Sequence, residues 1–68
     1  MARKPIDPLG HPIRQEIVML LDEREVTPSE IRGYLPAEPT PATVAYHLAI
    51  LERAELVERI GGVYRRVP

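Results

Sequence analysis

The chain of 68 residues contains no cysteine, which excludes disulfide bonds and thiolate metal sites. No apolar run approaches the roughly 20 residues that span a bilayer, and the first ten residues lack the apolar core of a signal peptide. The sequence offers few residues that could support catalysis: there is one serine, the two histidines are far apart in sequence, and no glycine-rich phosphate loop occurs. These absences predict a cytoplasmic protein that is not an enzyme, uses no cofactor or metal, and does not associate with membranes.

What is present favours one small folded domain. Hydrophobic residues make up 44% of the chain, too many for a disordered segment. The net charge is only -1, but it is unevenly distributed. Residues 5–55 hold four arginines and nine acids, whereas residues 1–4 and 56–68 are basic. The basic ends are candidates for phosphate contacts, and ordinary solvated charge is the alternative.

The first predicted helix begins near Pro12, with His11 as its cap, because proline fits a first helical position. Its apolar residues recur at helical spacing and predict one buried face. They are Ile13, Ile17, Leu20 and Leu21. Val18 and Met19 lie off this stripe, which leaves open a second covered side.

A second, short helix is predicted after Thr27-Pro28-Ser29-Glu30. This sequence is a capping box, in which the threonine hydroxyl accepts from the Glu30 amide and the Glu30 side chain reaches back. Ile31 and Leu35 are expected to face inward. Val26, just before the box, is a candidate for a very short strand.

The third predicted helix extends from Pro41 to Ala54 and opens with a Thr40 cap. Its residues Val44, Leu48 and Leu51 are spaced by four and three, so they face the core together. His47 beside them could be a pH switch or a metal ligand. A partly buried histidine that hydrogen-bonds the adjacent turn is the favoured interpretation, because no second metal ligand sits at helical spacing.

A β-hairpin is predicted at the end of the chain. Residues 56–60 and 63–67 are rich in β-forming types and flank Gly61-Gly62, and a tight turn of this kind needs positive φ at both positions. A two-residue turn places Glu58 opposite Arg65, whereas a longer loop shifts every pair.

Two segments carry a family resemblance. LGHPIRQEIVMLL and TPATVAYHLAILERAELVER resemble the first helix, and the recognition helix with first wing strand, of ArsR-like bacterial repressors. The resemblance covers about Leu9 to Arg66. It implies a mainly α winged helix-turn-helix of three helices plus a two-stranded wing, over residues 11–68, preceded by an extended N-terminal arm of residues 1–10. It also implies a DNA-binding transcription regulator, with helix 41–54 in the major groove and wing 59–66 on the backbone.

The sequence departs from the resemblance in three ways. The cysteines that metal-sensing members carry after the position of Val26 are missing, so soft-metal sensing is not expected. Glu55 stands where the family usually has the glycine that suits a left-handed helix cap, so it must end the helix differently or accept strain. The additional dimer-forming helices have little room, so either dimerisation is lost or the Val18/Met19 side and the arm replace them.

The predicted DNA-binding residues lie on the outer face of the third helix, on the wing and in the arm. They are Thr40, Ala42, Thr43, Ala45, Tyr46, Ala49, Arg53, Arg59, Tyr64, Arg65, Arg66, Arg3 and Lys4. In this interpretation the alanines meet thymine methyl groups and the arginines hold phosphates. Arg65-Arg66 is the leading phosphate candidate. Packing across the sheet is the alternative for Tyr64.

A second interpretation assigns the same fold to protein binding. The small residues Ala42, Ala45 and Ala49 with Tyr46 would then form a docking surface for a protein partner. The expected partners are therefore double-stranded DNA and either a second copy of the chain or another protein. The arginines of the acidic body, Arg14, Arg24 and Arg32, are expected to pair with neighbouring acids such as Glu16 and Asp22.

Overall fold

The computed structural model describes residues 7–68. It contains three helices followed by a two-stranded antiparallel hairpin, which confirms the predicted winged helix-turn-helix architecture. The elements are α1 (Pro12–Glu23), α2 (Pro28–Tyr34), α3 (Pro41–Arg53), β1 (Val57–Ile60) and β2 (Val63–Arg66). Of the helices in the described part of the chain, none is long and apolar enough to cross a membrane.

Each helix opens with the same device, a polar cap followed by proline. The His11 ring accepts from the Ile13 amide at Nδ1 (3.1 Å), and Thr40 Oγ1 accepts from the Thr43 amide (3.2 Å). The predicted capping box of Thr27 and Glu30 is present in both directions. These caps satisfy amides that have no partner inside the helix, and so fix where each helix begins.

The core fills the space between the helices and the hairpin. All three predicted inward residues of α3, Val44, Leu48 and Leu51, are buried, with Leu48 only 1% exposed. The other core residues come from every element and from the α1–α2 connection. They are Ile17, Val18, Leu21, Val26, Ile31, Leu35, Val57 and Tyr64. Of the two residues off the α1 stripe, Val18 joins this core and Met19 is exposed.

The C-terminal end of α3 shows how the helix ends with Glu55 in place of the glycine that is usual in ArsR-like proteins. The Leu56 amide donates to the Leu51 carbonyl (3.0 Å) and the Glu55 amide donates to the Glu52 carbonyl (2.9 Å), the two bonds of a Schellman motif. Glu55 occupies the left-handed position of this motif, with φ of 59°. The chain therefore keeps the glycine-type ending and accepts the strain of a side chain there.

The hairpin has the two-residue turn. Gly61 and Gly62 have φ of 58° and 85°, and Glu58 lies opposite Arg65, which is the first of the two registers that the sequence left open. The candidate strand at Val26 is a single bridge to Tyr64, with N–H···O distances of 3.2 and 2.8 Å. This bridge connects β2 to the link between α1 and α2. The hairpin is thus held against the helices, with β2 packed near α1 and β1 near α3.

Candidate nucleic-acid interface

The outer face of α3 is open to solvent along its length. Because Val44, Leu48 and Leu51 point into the core, the opposite side of the helix faces outward. Its exposed members are Ala42, Ala45, Tyr46, Ala49 and Arg53. Tyr46 is 60% exposed, and its neighbours on this face are the methyl groups of the three alanines, with Arg53 at the C-terminal end. Few groups on this face can form hydrogen bonds.

The N-terminal end of α3 supplies two hydroxyl groups. Thr40 is exposed and Thr43 is half-buried. Their Oγ1 atoms lie 3.0 Å apart and share a hydrogen bond, while Thr40 Oγ1 also accepts from the Thr43 amide. Since a hydroxyl has one donor and two acceptor sites, Thr40 Oγ1 retains capacity for one further partner and Thr43 Oγ1 for two.

The arginines of the hairpin differ in their availability. Arg65 Nε donates to Glu58 (2.6 Å), and Arg66 Nε donates to Asp22 (2.8 Å) while its Nη1 donates to the Leu56 carbonyl (2.9 Å). Both guanidinium groups are thus neutralised by a carboxylate. Arg59 is exposed and forms no ion pair with any residue between 7 and 68. It is therefore the hairpin's most accessible cation in that range.

Tyr64 lies inside the fold. Its side chain is 8% exposed and packs in the core, where its backbone bridges Val26. Burial raises the pKa of the hydroxyl, and the nearby Glu52 carboxylate raises it further, while Arg59 opposes both. This placement matches the packing alternative for Tyr64 and leaves it out of the exposed surface.

Arg3 and Lys4 lie outside the described residues, and the arm and domain boundaries stay predictions. Residues 7–10 form a turn, closed by the Gly10 amide donating to the Asp7 carbonyl (3.0 Å). This turn packs against the start of α1, where the Gln15 side chain donates to the Leu9 carbonyl (2.7 Å).

The prediction that Arg14 pairs with a neighbouring acid is wrong. Arg14 is 7% exposed; its Nε donates to the Pro8 carbonyl (2.7 Å) and its Nη1 to His47 Nδ1 (2.9 Å). The sequence did carry a signal, because Arg14 precedes the buried residues Ile17, Val18 and Leu21 by three, four and seven positions. That spacing places it on the buried face of α1, where a cation needs acceptors from inside the fold.

Arg24 and Arg32, which were also predicted to pair with acids, take neutral partners as well. Arg24 Nη1 donates to the Tyr34 hydroxyl (2.6 Å), and its guanidinium carbon lies 5.2 Å from the centre of the Tyr34 ring. Arg32 Nε donates to the Pro39 carbonyl (2.7 Å) and holds the turn between α2 and α3. These contacts set the relative positions of the helices, and Asp22 is left for Arg66.

The comparison with protein families gives one finding. Residues 9–60 match the model of a family described as a helix-turn-helix domain, a family that includes ArsR-type regulators and whose members are typically non-enzymatic DNA-binding domains. The match covers all three helices and the first strand of the hairpin. Neither the curated proteins nor the solved structures give a match.

Proposed function

Because the chain belongs to the helix-turn-helix domain family, we propose that it is the DNA-binding module of a transcription regulator of ArsR type, acting on double-stranded DNA in the cytoplasm. Helix 41–54 would enter the major groove and the wing, residues 59–66, would lie along the backbone. The observation that carries the proposal is the division of α3 into a buried side and a fully open outer side.

Base readout by this surface would be mainly apolar. Ala42, Ala45 and Ala49 present methyl groups, which suit contact with the C5 methyl of thymine. Thr43 and Tyr46 add the hydroxyl groups that can reach base edges or phosphates. With so few hydrogen-bonding groups, discrimination among sequences would be modest and would favour A·T pairs.

Backbone contacts would come first from Arg53 and Arg59, which are exposed. Arg65 and Arg66 must exchange Glu58 and Asp22 for phosphate, so part of the energy gained on DNA is lost when these ion pairs break. The resulting intrinsic affinity would be low. A second copy of the chain on a two-fold site would raise it, because the two half-sites would be bound together.

The test is a titration of 15N-labelled protein with a duplex at about 50 and 200 mM salt, followed by amide chemical shifts. The proposal expects shifts confined to residues 40–53 and 59–66 that shrink at the higher salt. No shift at low salt would refute DNA binding.

A charge-matched pair of variants sharpens this test. Arg59→Gln removes an exposed hairpin cation and should reduce the salt slope of log affinity by about 0.9. Arg24→Gln removes the same charge from the α1–α2 side, where the guanidinium is held by Tyr34, and should leave the slope unchanged. Equal losses in the two variants would mean that net charge, and not the position of Arg59, governs binding.

One observation favours a second candidate, a protein-docking module. Tyr46 is 60% exposed among three exposed alanines, and this small apolar surface would suit close approach of a partner chain. The same titration separates the two candidates, because a protein-docking face gives no salt-dependent shifts with DNA. Absence of shifts with DNA, together with concentration-dependent shifts at Tyr46 and Ala49 in the free protein, would favour docking of a second copy.

A further inference from the structure

The region around His47 brings three basic side chains together inside the fold. Arg14 of α1 and His47 of α3 are both buried, at 7% and 4% exposure, and His11 lies just before α1. The rings of His11 and His47 are 4.5 Å apart between centroids, with planes inclined by 43°. The proposed DNA-binding surface does not use any of the three.

Both imidazoles serve as hydrogen-bond acceptors at Nδ1. His47 Nδ1 accepts from Arg14 Nη1 (2.9 Å), and because arginine is always a donor this fixes the His47 proton on Nε2. His11 Nδ1 accepts from the Ile13 amide (3.1 Å) and thereby caps α1. A proton on either Nδ1 removes the acceptor and leaves two donors facing each other.

The arginine in this cluster also holds the turn that precedes α1. Arg14 Nε donates to the Pro8 carbonyl (2.7 Å), and Nη2 makes a longer contact with the Asp7 carbonyl (3.4 Å). One guanidinium therefore joins three parts of the fold: the turn at residues 7–10, helix α1 and helix α3. If His47 takes up a proton, Arg14 Nη1 loses its acceptor and faces a second cation, so the guanidinium must move.

The charges around His47 all oppose its protonation. Arg14 faces it from α1 and His11 from the cap of α1. The carboxylate of Asp7, in the preceding turn, accepts from the Leu9 amide (3.0 Å) instead. On its own helix the neighbour is neutral Tyr46, at 5.1 Å between ring centroids. Within residues 7–68, no charged side chain of α2 or the hairpin bonds to His47. Burial lowers the pKa of His47 first, and His11 and Arg14 lower it further.

We propose that His47, Arg14 and His11 form a proton-sensitive latch, which is closed when His47 is neutral and opens when His47 takes up a proton. Opening separates Arg14 from α3 and frees the turn at residues 7–10. Because His47 is next to Tyr46 on α3, opening also disturbs the outer face of that helix. This last consequence, a DNA affinity that falls in acid, rests on the proposed function.

The test follows the full chain by NMR from pH 8 to pH 5. The histidine 13Cε1 resonances report protonation, and the amides of Leu9, Gly10 and Gln15 report the docked turn. The latch expects these three amides to shift with the midpoint of His47, which lies below the ordinary value of 6.5. The Gly62 amide, at the tip of the hairpin, should stay constant. If His47 titrates while the amides of Leu9, Gly10 and Gln15 do not follow, the latch is refuted.

Two asparagine variants supply matched controls, because asparagine keeps an acceptor near the position of Nδ1 but does not titrate. His47→Asn should abolish the transition at Leu9 and Gly10, whereas persistence of the same transition would refute the role of His47. His11→Asn keeps the helix cap and should raise the midpoint of His47 by removing one neighbouring charge. The wild-type titration decides the question even if a variant fails to fold.

The DNA arm of the test is separate. As the pH falls through the midpoint of His47, the DNA affinity of the wild type should decrease relative to that of His47→Asn. The decrease should be about tenfold for each unit by which the pKa of His47 differs between bound and free protein. A constant ratio would refute coupling to DNA and leave the amide result intact. Failure of both proteins to bind DNA at any pH would refute the proposed function, and the amide titration would still decide the latch.

Discussion

The left-handed position at Glu55 gives the sharpest prediction about stability. Replacing Glu55 by glycine removes a Cβ atom that is close to the following carbonyl oxygen when φ is 59°. The exposed side chain makes no hydrogen bond or ion pair within residues 7–68, so the substitution costs no such contact in that part of the chain. The Schellman hydrogen bonds at Leu56 and Glu55 are made by the backbone and stay in place.

The size of the effect follows from two opposing terms. A left-handed conformation costs an ordinary residue about 1–2 kcal/mol relative to glycine, and glycine gives the unfolded chain an entropic advantage of about 0.5–1 kcal/mol. The difference between the midpoints of these ranges is a net stabilisation of about 0.75 kcal/mol. In a domain of this size that raises Tm by roughly 3–6 °C. It is a large fraction of the 3–5 kcal/mol or so that one small core supplies.

The assay is urea unfolding followed by circular dichroism, with two control variants. Glu55→Ala removes the charge, which is unfavourable at a helix C-terminus, but keeps the Cβ atom. The excess stability of Glu55→Gly over Glu55→Ala therefore measures the backbone strain less the entropic advantage of glycine in the unfolded chain. Ala49→Gly, at an exposed position inside α3, should destabilise by about 1 kcal/mol. If Glu55→Gly is no more stable than Glu55→Ala, the strain argument fails.

Three further predictions test other parts of the account. Replacing thymine by uracil in a bound duplex should weaken binding about fourfold per contacted methyl, or about 0.8 kcal/mol; identical affinities would exclude methyl readout by the α3 alanines. Leu48→Ala should cost about 2–5 kcal/mol and leave much of the protein unfolded, and a cooperative unfolding curve like that of wild type would contradict the core assignment. The free energy of unfolding should fall as pH drops below 6.5, since the unfolded chain then binds a proton that folded His47 resists; equal slopes in wild type and His47→Asn, measured by urea unfolding at several pH values, would refute this.

Local signals explain why the fold could be predicted from the sequence. Proline after Thr27 and Thr40 marked two helix starts, and the spacing of Val44, Leu48 and Leu51 gave the orientation of α3. Gly61-Gly62 indicated a hairpin turn in which both residues need positive φ, but only the structure decided between the two-residue turn and a longer loop, and so the register. Each of these features depends on residues close together in the chain, so no knowledge of tertiary contacts was required.

The partners of the arginines could not be predicted in the same way. Asp22 and Arg66 are 44 positions apart, and Arg14 and His47 are 33 apart, so these pairs exist only after the helices pack. Sequence neighbours such as Glu16 were the only candidates available beforehand. The composition of the α3 face was visible from the sequence, but the neutralisation of Arg65 and Arg66 by carboxylates was not.

The bridge between Val26 and Tyr64 has a consequence for behaviour at high concentration. Because of this bridge, β2 has a backbone partner on each side, β1 on one and Val26 on the other. Within residues 7–68, no strand pairs with the other edge of β1. That edge is four residues long and carries Glu58 and Arg59 at its centre. Short, charged edges resist pairing with strands of other molecules. The sheet that anchors the hairpin is thereby protected against edge-to-edge aggregation.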